Sequence, residues 1–236
     1  MVILFAFAAT LIPSILMYVW LRRRFKDKND YSKTCRKALL MGLLATLPIA
    51  GVALALDLIG SLAGLKKLHW LVWALYQTFI LYALTEEFFK FFFFRKVLEK
   101  TECDCSLYDV TVFMTVVGLG FGISESVLYS LTMSPVEAII RGISLAHGTY
   151  GFIMGYFYAK ALSTGKKGYF FISFAVPYLL HALYDFSLSP QLIEISDNFA
   201  FMAVGLELVE LVLVVLMIVF FARRKKNEKY TASLGI

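Results

Sequence analysis

The clearest pattern along the chain is a series of long apolar runs separated by short polar connections. Each run has about 20 residues, enough for a helix to cross roughly 30 Å of hydrocarbon. Backbone amides inside a bilayer must be hydrogen-bonded within their own segment, so runs of this length are predicted to be helices. The predicted spans cover residues 2–21, 38–62, 70–94, 108–131, 137–162, 169–189 and 199–221. The pattern therefore predicts an all-α, polytopic membrane helical bundle of about seven transmembrane helices.

None of the connections is long enough to hold a second folded unit. Residues 1–236 are therefore predicted to form a single integral-membrane domain. Composition supports this interpretation, because 60% of the residues are hydrophobic and only 17% are charged. These values lie outside the usual range of water-soluble globular domains.

Basic residues collect in alternate connections between the predicted spans. Four connections carry most of the Lys and Arg residues: 22–37, 95–100, 160–167 and 223–229. Short cytoplasmic loops hold the positive excess in membrane proteins, so the amino terminus is predicted to face out and the carboxyl terminus in. Anionic lipid at the inner leaflet accounts for the net charge of +6, and no nucleic-acid partner is expected.

The third predicted span carries three charged residues close together, Glu86, Glu87 and Lys90. Ionisable groups inside a span are costly unless they are paired or hydrated, which makes each a functional candidate. Lys90 follows the two glutamates by four and three residues, so both carboxylates share a helical face with one ammonium group. One carboxylate would be neutralised and the other could act as a general acid or base. An ion pair that only fixes helix packing is the alternative.

Further polar residues lie on the next three predicted spans. His181 and Asp185 are four residues apart, a spacing that lets the carboxylate hydrogen-bond one ring nitrogen and orient the imidazole. His147 is followed by small residues that allow close helix approach. Glu125 lies on the span between these and the glutamate pair. Each of them could instead serve only as a hydrogen-bonding partner between helices.

Four other charged residues are expected nearer the span ends. Arg141 falls near the outer end of its predicted span, where it is expected to snorkel to the interface, pair with a carboxylate or contact substrate. Asp57, Glu207 and Glu210 also fall near span ends, where water is expected to be close.

Taken in order, these polar residues form four motifs on consecutive predicted spans. They are Glu86-Glu87-Phe88-Phe89-Lys90, the Phe121 to Glu125 element, the isolated His147, and the His181 to Asp185 element. The set, placed within residues 86–185, resembles the PrsW family of membrane-embedded proteases. That family belongs to a wider superfamily containing the CAAX prenyl proteases and bacterial abortive-infection proteins.

The resemblance implies an activity, a substrate and a location. It implies a multi-pass protease of the bacterial plasma membrane that makes the first, or site-1, cut in a membrane-anchored anti-sigma factor. That cut would begin release of a stress-response sigma factor. The expected partners are thus a single-span membrane-anchored protein substrate and the lipid bilayer.

Peptide hydrolysis requires an activated water, stabilisation of the oxyanion and protonation of the leaving amine. Glu86 or Glu87 is the expected base that activates water. Glu125 would share the proton network, and His147 and His181 would donate to the oxyanion or carry protons. The expected supporting residues are Lys90 holding the glutamate pair, Asp185 orienting His181, and also Phe121 and Arg141.

Two competing chemistries use the same residues. This glutamate-type mechanism needs no cofactor, whereas a zinc-dependent protease would bind the metal with His147, His181 and Glu125. The sequence has no His-Glu-x-x-His element, which makes zinc less favoured. A proton-coupled transporter could use these groups as a relay, but we find no inverted repeat of the kind common in transporters.

Straight helices would separate two of the candidate residues. At 1.5 Å per residue, Glu86 would lie about 6 Å inward of the membrane centre and Glu125 about 8 Å outward. A tilted or shifted third span would bring them together, and so would a break near Gly118, Gly120 and Gly122.

Overall fold

Helices make up nearly all of the computed structural model. It describes residues 2–23, 29–101, 105–132, 134, 145–189, 192 and 197–223. The long helices are α1 (Val2–Arg23), α2 (Asn29–Leu62), α3 (joined segments Trp70–Leu75, Tyr76–Leu84 and Thr85–Leu98), α4 (Leu107–Thr132), α5 (Ala146–Thr164), α6 (Lys167–Ser187) and α7 (Asp197–Ala222). No strand occurs among the described residues, and the predicted all-α bundle of seven long helices is confirmed.

Four of these helices are long and apolar enough to cross a membrane, namely α2, α4, α6 and α7. Large apolar side chains such as Leu54, Phe171 and Phe201 lie exposed on the outer surface of the bundle. Exposed apolar area on this scale is unfavourable in water and suits contact with lipid. These features are those of a membrane protein.

Helix α4 forms the centre of the bundle. All of its residues from Tyr108 to Gly122 are buried, and it packs against α1, α2, α3 and α5. A Cβ atom added to Gly118 would lie 2.0 Å from the carbonyl oxygen of His147, and one on Gly120 would lie 2.4 Å from that of Leu39. Glycine at these two positions therefore lets α5 and α2 approach α4 at backbone distance.

Helix α3 changes its winding before the glutamate pair. Its middle segment, Tyr76–Leu84, is π-helical, and the Thr85 hydroxyl donates to the carbonyl of Ile80, five residues earlier. Regular α-helix resumes at Thr85, so Glu86 and Glu87 fall in the first turn of the last segment. Wider π-helical turns are frequent at functional sites because they rotate the residues that follow.

Two helix boundaries differ from the predicted spans. Helix α2 begins at Asn29 rather than near residue 38, because its polar first turns extend the helix beyond the apolar run while Tyr31 and Cys35 pack into the core. Helix α5 begins at Ala146, and residues 137–144 of the predicted span lie outside the described residues. Helix α4 is continuous past its glycines, so the suggested break there is not found.

Candidate active site

A buried lysine ties together the two glutamates of α3. Glu87 Oε1 accepts a hydrogen bond of 2.5 Å from Lys90 Nζ, and Glu86 Oε2 lies 3.7 Å from the same nitrogen. The Lys90 side chain is 1% exposed, and its ammonium group lies 4.5 Å from the centre of the Phe121 ring. One buried cation thus faces two carboxylates, and unpaired charge at such a depth is costly.

His181 of α6 lies directly over this pair. Its Nδ1 lies 2.9 Å from Glu87 Oε1, and because a carboxylate only accepts, this nitrogen carries the hydrogen. The other ring nitrogen, Nε2, lies 3.3 Å from Asp185 Oδ2 and 3.7 Å from Glu86 Oε2. The Tyr150 ring stacks on the imidazole with centroids 5.3 Å apart. His181 is therefore fixed with Nε2 directed at two carboxylates.

His147 connects the same lysine to Glu125. Lys90 Nζ lies 3.1 Å from Nδ1 of His147, and an ammonium group only donates, so this nitrogen accepts and Nε2 carries the hydrogen. Nε2 donates to Glu125 Oε2, and the Tyr129 hydroxyl donates to Glu125 Oε1. His147 lies in the first turn of α5, whose amino-terminal dipole favours a nearby carboxylate.

A cavity of about 450 Å³ reaches this cluster. Glu86, Glu125, Asp185 and Phe121 contribute to its wall, so three carboxylates are accessible from one space. Its volume falls within the usual range of ligand pockets. The difference in depth expected for Glu86 and Glu125 does not keep them apart, because both line this cavity.

The structure brings together all the predicted site residues that it describes. Those residues are Glu86, Glu87, Lys90, Phe121, Glu125, His147, His181 and Asp185. Arg141 lies outside the described residues. The roles assigned to these residues stay predictions.

Sequence reasoning missed several polar neighbours of the cluster. Tyr129 and Tyr150 resemble ordinary interfacial aromatics in the sequence, although Tyr129 follows Glu125 by four residues, a spacing that could have indicated the contact. The prediction that Glu210 lies near water is wrong. It is only 3% exposed and accepts a 2.9 Å hydrogen bond from Thr149 of α5. Glu207 accepts a hydrogen bond from Tyr184 of α6.

Three of the site residues could hold a metal ion. Ligand atoms of Glu86, His147 and His181 all lie within 4.8 Å of one another. Tetrahedral zinc with bonds of about 2.1 Å places its ligand atoms about 3.4 Å apart, so modest side-chain rotation would close the set. Oε2 of Glu86 is buried and accepts no hydrogen bond from any described residue, as expected of an oxygen suited to a cation. These donor types fit a divalent metal once a ring nitrogen of His147 exchanges its contact with Lys90 or Glu125 for the ion.

The fold and this site define the protein as a helical membrane protein with a buried cluster of carboxylates and imidazoles. The chain matches the family described as PrsW family intramembrane metalloprotease over residues 33–224. It belongs to that family. No solved structure matches the chain.

Individual relatives agree with the family match. Protease PrsW of Oceanobacillus iheyensis is 36% identical over 116 residues, which cover 48% of this chain and 54% of that relative. Protease PrsW of Geobacillus kaustophilus is 33% identical over 182 residues, covering 74% of this chain and 75% of the relative. Protease PrsW of Clostridioides difficile is 24% identical over 192 residues, covering 77% and 78%. The first alignment thus spans about half the length of that relative.

Proposed function

We propose that this protein is an intramembrane endopeptidase whose site is formed by Glu86, His147, His181 and Glu125. The observation that carries the proposal is the convergence of three ligand atoms within 4.8 Å beside a cavity containing a further carboxylate. The membership of the chain in a family of intramembrane proteases supports it. A structural ion pair would need neither the second histidine nor a cavity.

We propose further that the enzyme depends on a divalent metal held by Glu86, His147 and His181. When bound there, zinc would supply Lewis acidity toward water and a peptide carbonyl. Glu87 accepts the Nδ1 hydrogen of His181, so Nε2, which faces Glu86 and Asp185, would be the ligand atom. Metal-binding histidines commonly donate their other N–H to a carboxylate in this way.

Glu125 is the general base in this proposal. It faces the cavity, and Tyr129 holds one of its oxygens by a hydrogen bond. The carboxylate removes a proton from water as the water oxygen attacks the scissile carbonyl carbon. It then returns that proton to the nitrogen as the carbon–nitrogen bond breaks, leaving one carboxylic acid and one amine.

The glutamate-type mechanism expected from the sequence is the competing explanation. It uses the same carboxylates, with Glu86 as the base and the two histidines as proton carriers or oxyanion donors. Because Glu86 would be a ligand in one mechanism and a base in the other, its substitution alone does not distinguish them. Removal of metal from purified protein does.

We propose that the substrate is a single-span protein of the anti-sigma factor class in the bacterial plasma membrane. The cavity is lined by Gln77 and Thr78 of α3 and by Leu188 and Ser189 after α6. In the predicted orientation, these residues lie in the outer half of the bundle. A substrate would therefore be cut toward the outer surface, as the first cut in such a protein requires.

Purified protein in liposomes with a single-span anti-sigma substrate tests this function. Wild type should cut the substrate, whereas Glu125→Gln and His181→Asn should remain folded and lose at least about a hundredfold in rate, the scale of an acid–base group. Variants must be compared at matched thermal stability, because disturbing a buried charged network can unfold the bundle. Proton movement across the liposomes without cleavage would instead support a transporter.

A further inference from the structure

The cavity at the site continues as a groove between α2 and the π-helical segment of α3. Its wall on the α2 side is formed by Thr46, Ile49 and Ala50. Gln77, Thr78 and Tyr82 form the opposite wall. Helix α2 packs closely on the last segment of α3 but makes few contacts with the π-helical segment. The groove therefore opens where these two helices separate.

The two walls of the groove differ in chemistry. The α2 wall next to the site is formed mainly by Ile49 and Ala50, which present only carbon atoms from their side chains. The α3 wall carries the Gln77 amide, which has a donor and an acceptor like a peptide group. The Thr78 hydroxyl donates to the carbonyl of Ala74, so its own oxygen can still accept a hydrogen bond. The α3 wall thus offers an amide and a hydroxyl next to the site, whereas the α2 wall has the Thr46 hydroxyl followed by the apolar side chains of Ile49 and Ala50.

This asymmetry suits an extended peptide. A transmembrane helix hides its carbonyl groups in internal hydrogen bonds, so a segment must unwind before one of its peptide bonds is attacked. An unwound segment in a region of low dielectric needs hydrogen-bond partners for its backbone, since an unpaired amide there is costly. Gln77 and Thr78 can provide partners on one side, while a side chain of the peptide projects toward Ile49 and Ala50 on the other.

We propose that this groove binds the substrate residues next to the scissile bond in extended form, and that Ala50 limits the size of the residue accepted. This inference rests on the proposed peptidase function and adds a determinant of substrate choice. Ala50 has the smallest side chain on either wall and is exposed, so a larger residue at position 50 would extend into the groove. A larger side chain there would select substrates by the size of the residue that must fit in the groove.

Ala55 provides a matched control on the same helix. It is exposed like Ala50, but it does not line the cavity and is rotated by about 140° from Ala50 at 3.6 residues per turn. Ala50→Phe and Ala55→Phe therefore make the same chemical change on opposite faces of α2. Only the first should affect the groove.

The first experiment measures selectivity. A series of single-span peptides carries Ala, Leu or Phe at each residue flanking the cut made by wild type, located by mass spectrometry. Ala50→Phe should lower kcat/KM at least about tenfold for peptides with Leu or Phe at one flanking position and change it less than about twofold for Ala. Ala55→Phe should match wild type. Equal loss for all three peptides, or none, would overturn the inference.

The second experiment does not need cleavage. A benzophenone amino acid is placed at position 50 or 55 in the Glu86→Gln background, and the Leu-containing peptide is added under ultraviolet light. Position 50 should cross-link the peptide at least about fivefold more than position 55. Equal cross-linking at positions 50 and 55 would refute peptide binding in the groove even if the enzyme cleaves the peptide. Selective cross-linking at position 50 with no cleavage by wild type would contradict the proposed peptidase function. It would still support peptide binding in the groove.

Discussion

Lys90 should be the most sensitive single position for stability. It is fully buried, donates to Glu87 at 2.5 Å, and lies 3.7 Å from Glu86 and 3.1 Å from a nitrogen of His147. Lys90→Met keeps a long apolar side chain but leaves two buried carboxylates without their cation. Breaking a buried pair in this way costs about 3–5 kcal/mol.

The assay is thermal unfolding of detergent-solubilised protein. For a chain of this length the expected loss corresponds to a drop in Tm of about 6–20 °C. Lys96→Met is the matched control, because Lys96 lies on the same helix in an exposed pair with Glu99. The double variant Lys90→Met with Glu87→Gln should be less destabilised than the sum of the two single variants by at least about 1 kcal/mol. Additive effects, or equal effects at positions 90 and 96, would refute the reasoning.

Three further predictions test other parts of the account. Gly118→Ala should destabilise the protein by about 1–3 kcal/mol in the same unfolding assay, because the added Cβ would lie 2.0 Å from the backbone carbonyl oxygen of His147. Gly51→Ala is the control and should be neutral or stabilising, because a Cβ at position 51 has open space. Tyr129→Phe should lower kcat about 10–100-fold with little change in KM, because it removes one hydrogen bond to Glu125; an unchanged kcat in steady-state cleavage would contradict this. A reporter fused after Ile236 should lie on the cytoplasmic side, and its detection outside would reject the seven-span orientation.

The helical architecture could be predicted because it depends on local properties of the chain. Apolar run length indicates membrane helices, and contacts three or four residues apart follow from helix geometry. Lys90 beside Glu87 and Asp185 beside His181 are contacts of this kind, and the structure contains both. A single sequence is sufficient for them.

Contacts between helices could not be predicted in this way. The 2.9 Å contact between His181 and Glu87 joins residues 94 positions apart and depends on how α3 and α6 are rotated. The π-helical segment changes that rotation, and its sequence, Tyr76–Leu84, shows no local signal that distinguishes it from α-helix. The prediction that Glu210 lies near water was wrong for a related reason. Its burial against Thr149 is set by the packing of α7.

Metal content together with cleavage tests the central claim most directly. Purified wild type should contain one zinc or similar divalent ion per chain by elemental analysis, and His181→Asn should contain at least about tenfold less at matched thermal stability. Cleavage of the reconstituted single-span substrate should stop on chelation and return when the metal is restored. Full cleavage by protein stripped of metal would contradict the metal-dependent account and favour the glutamate-type mechanism.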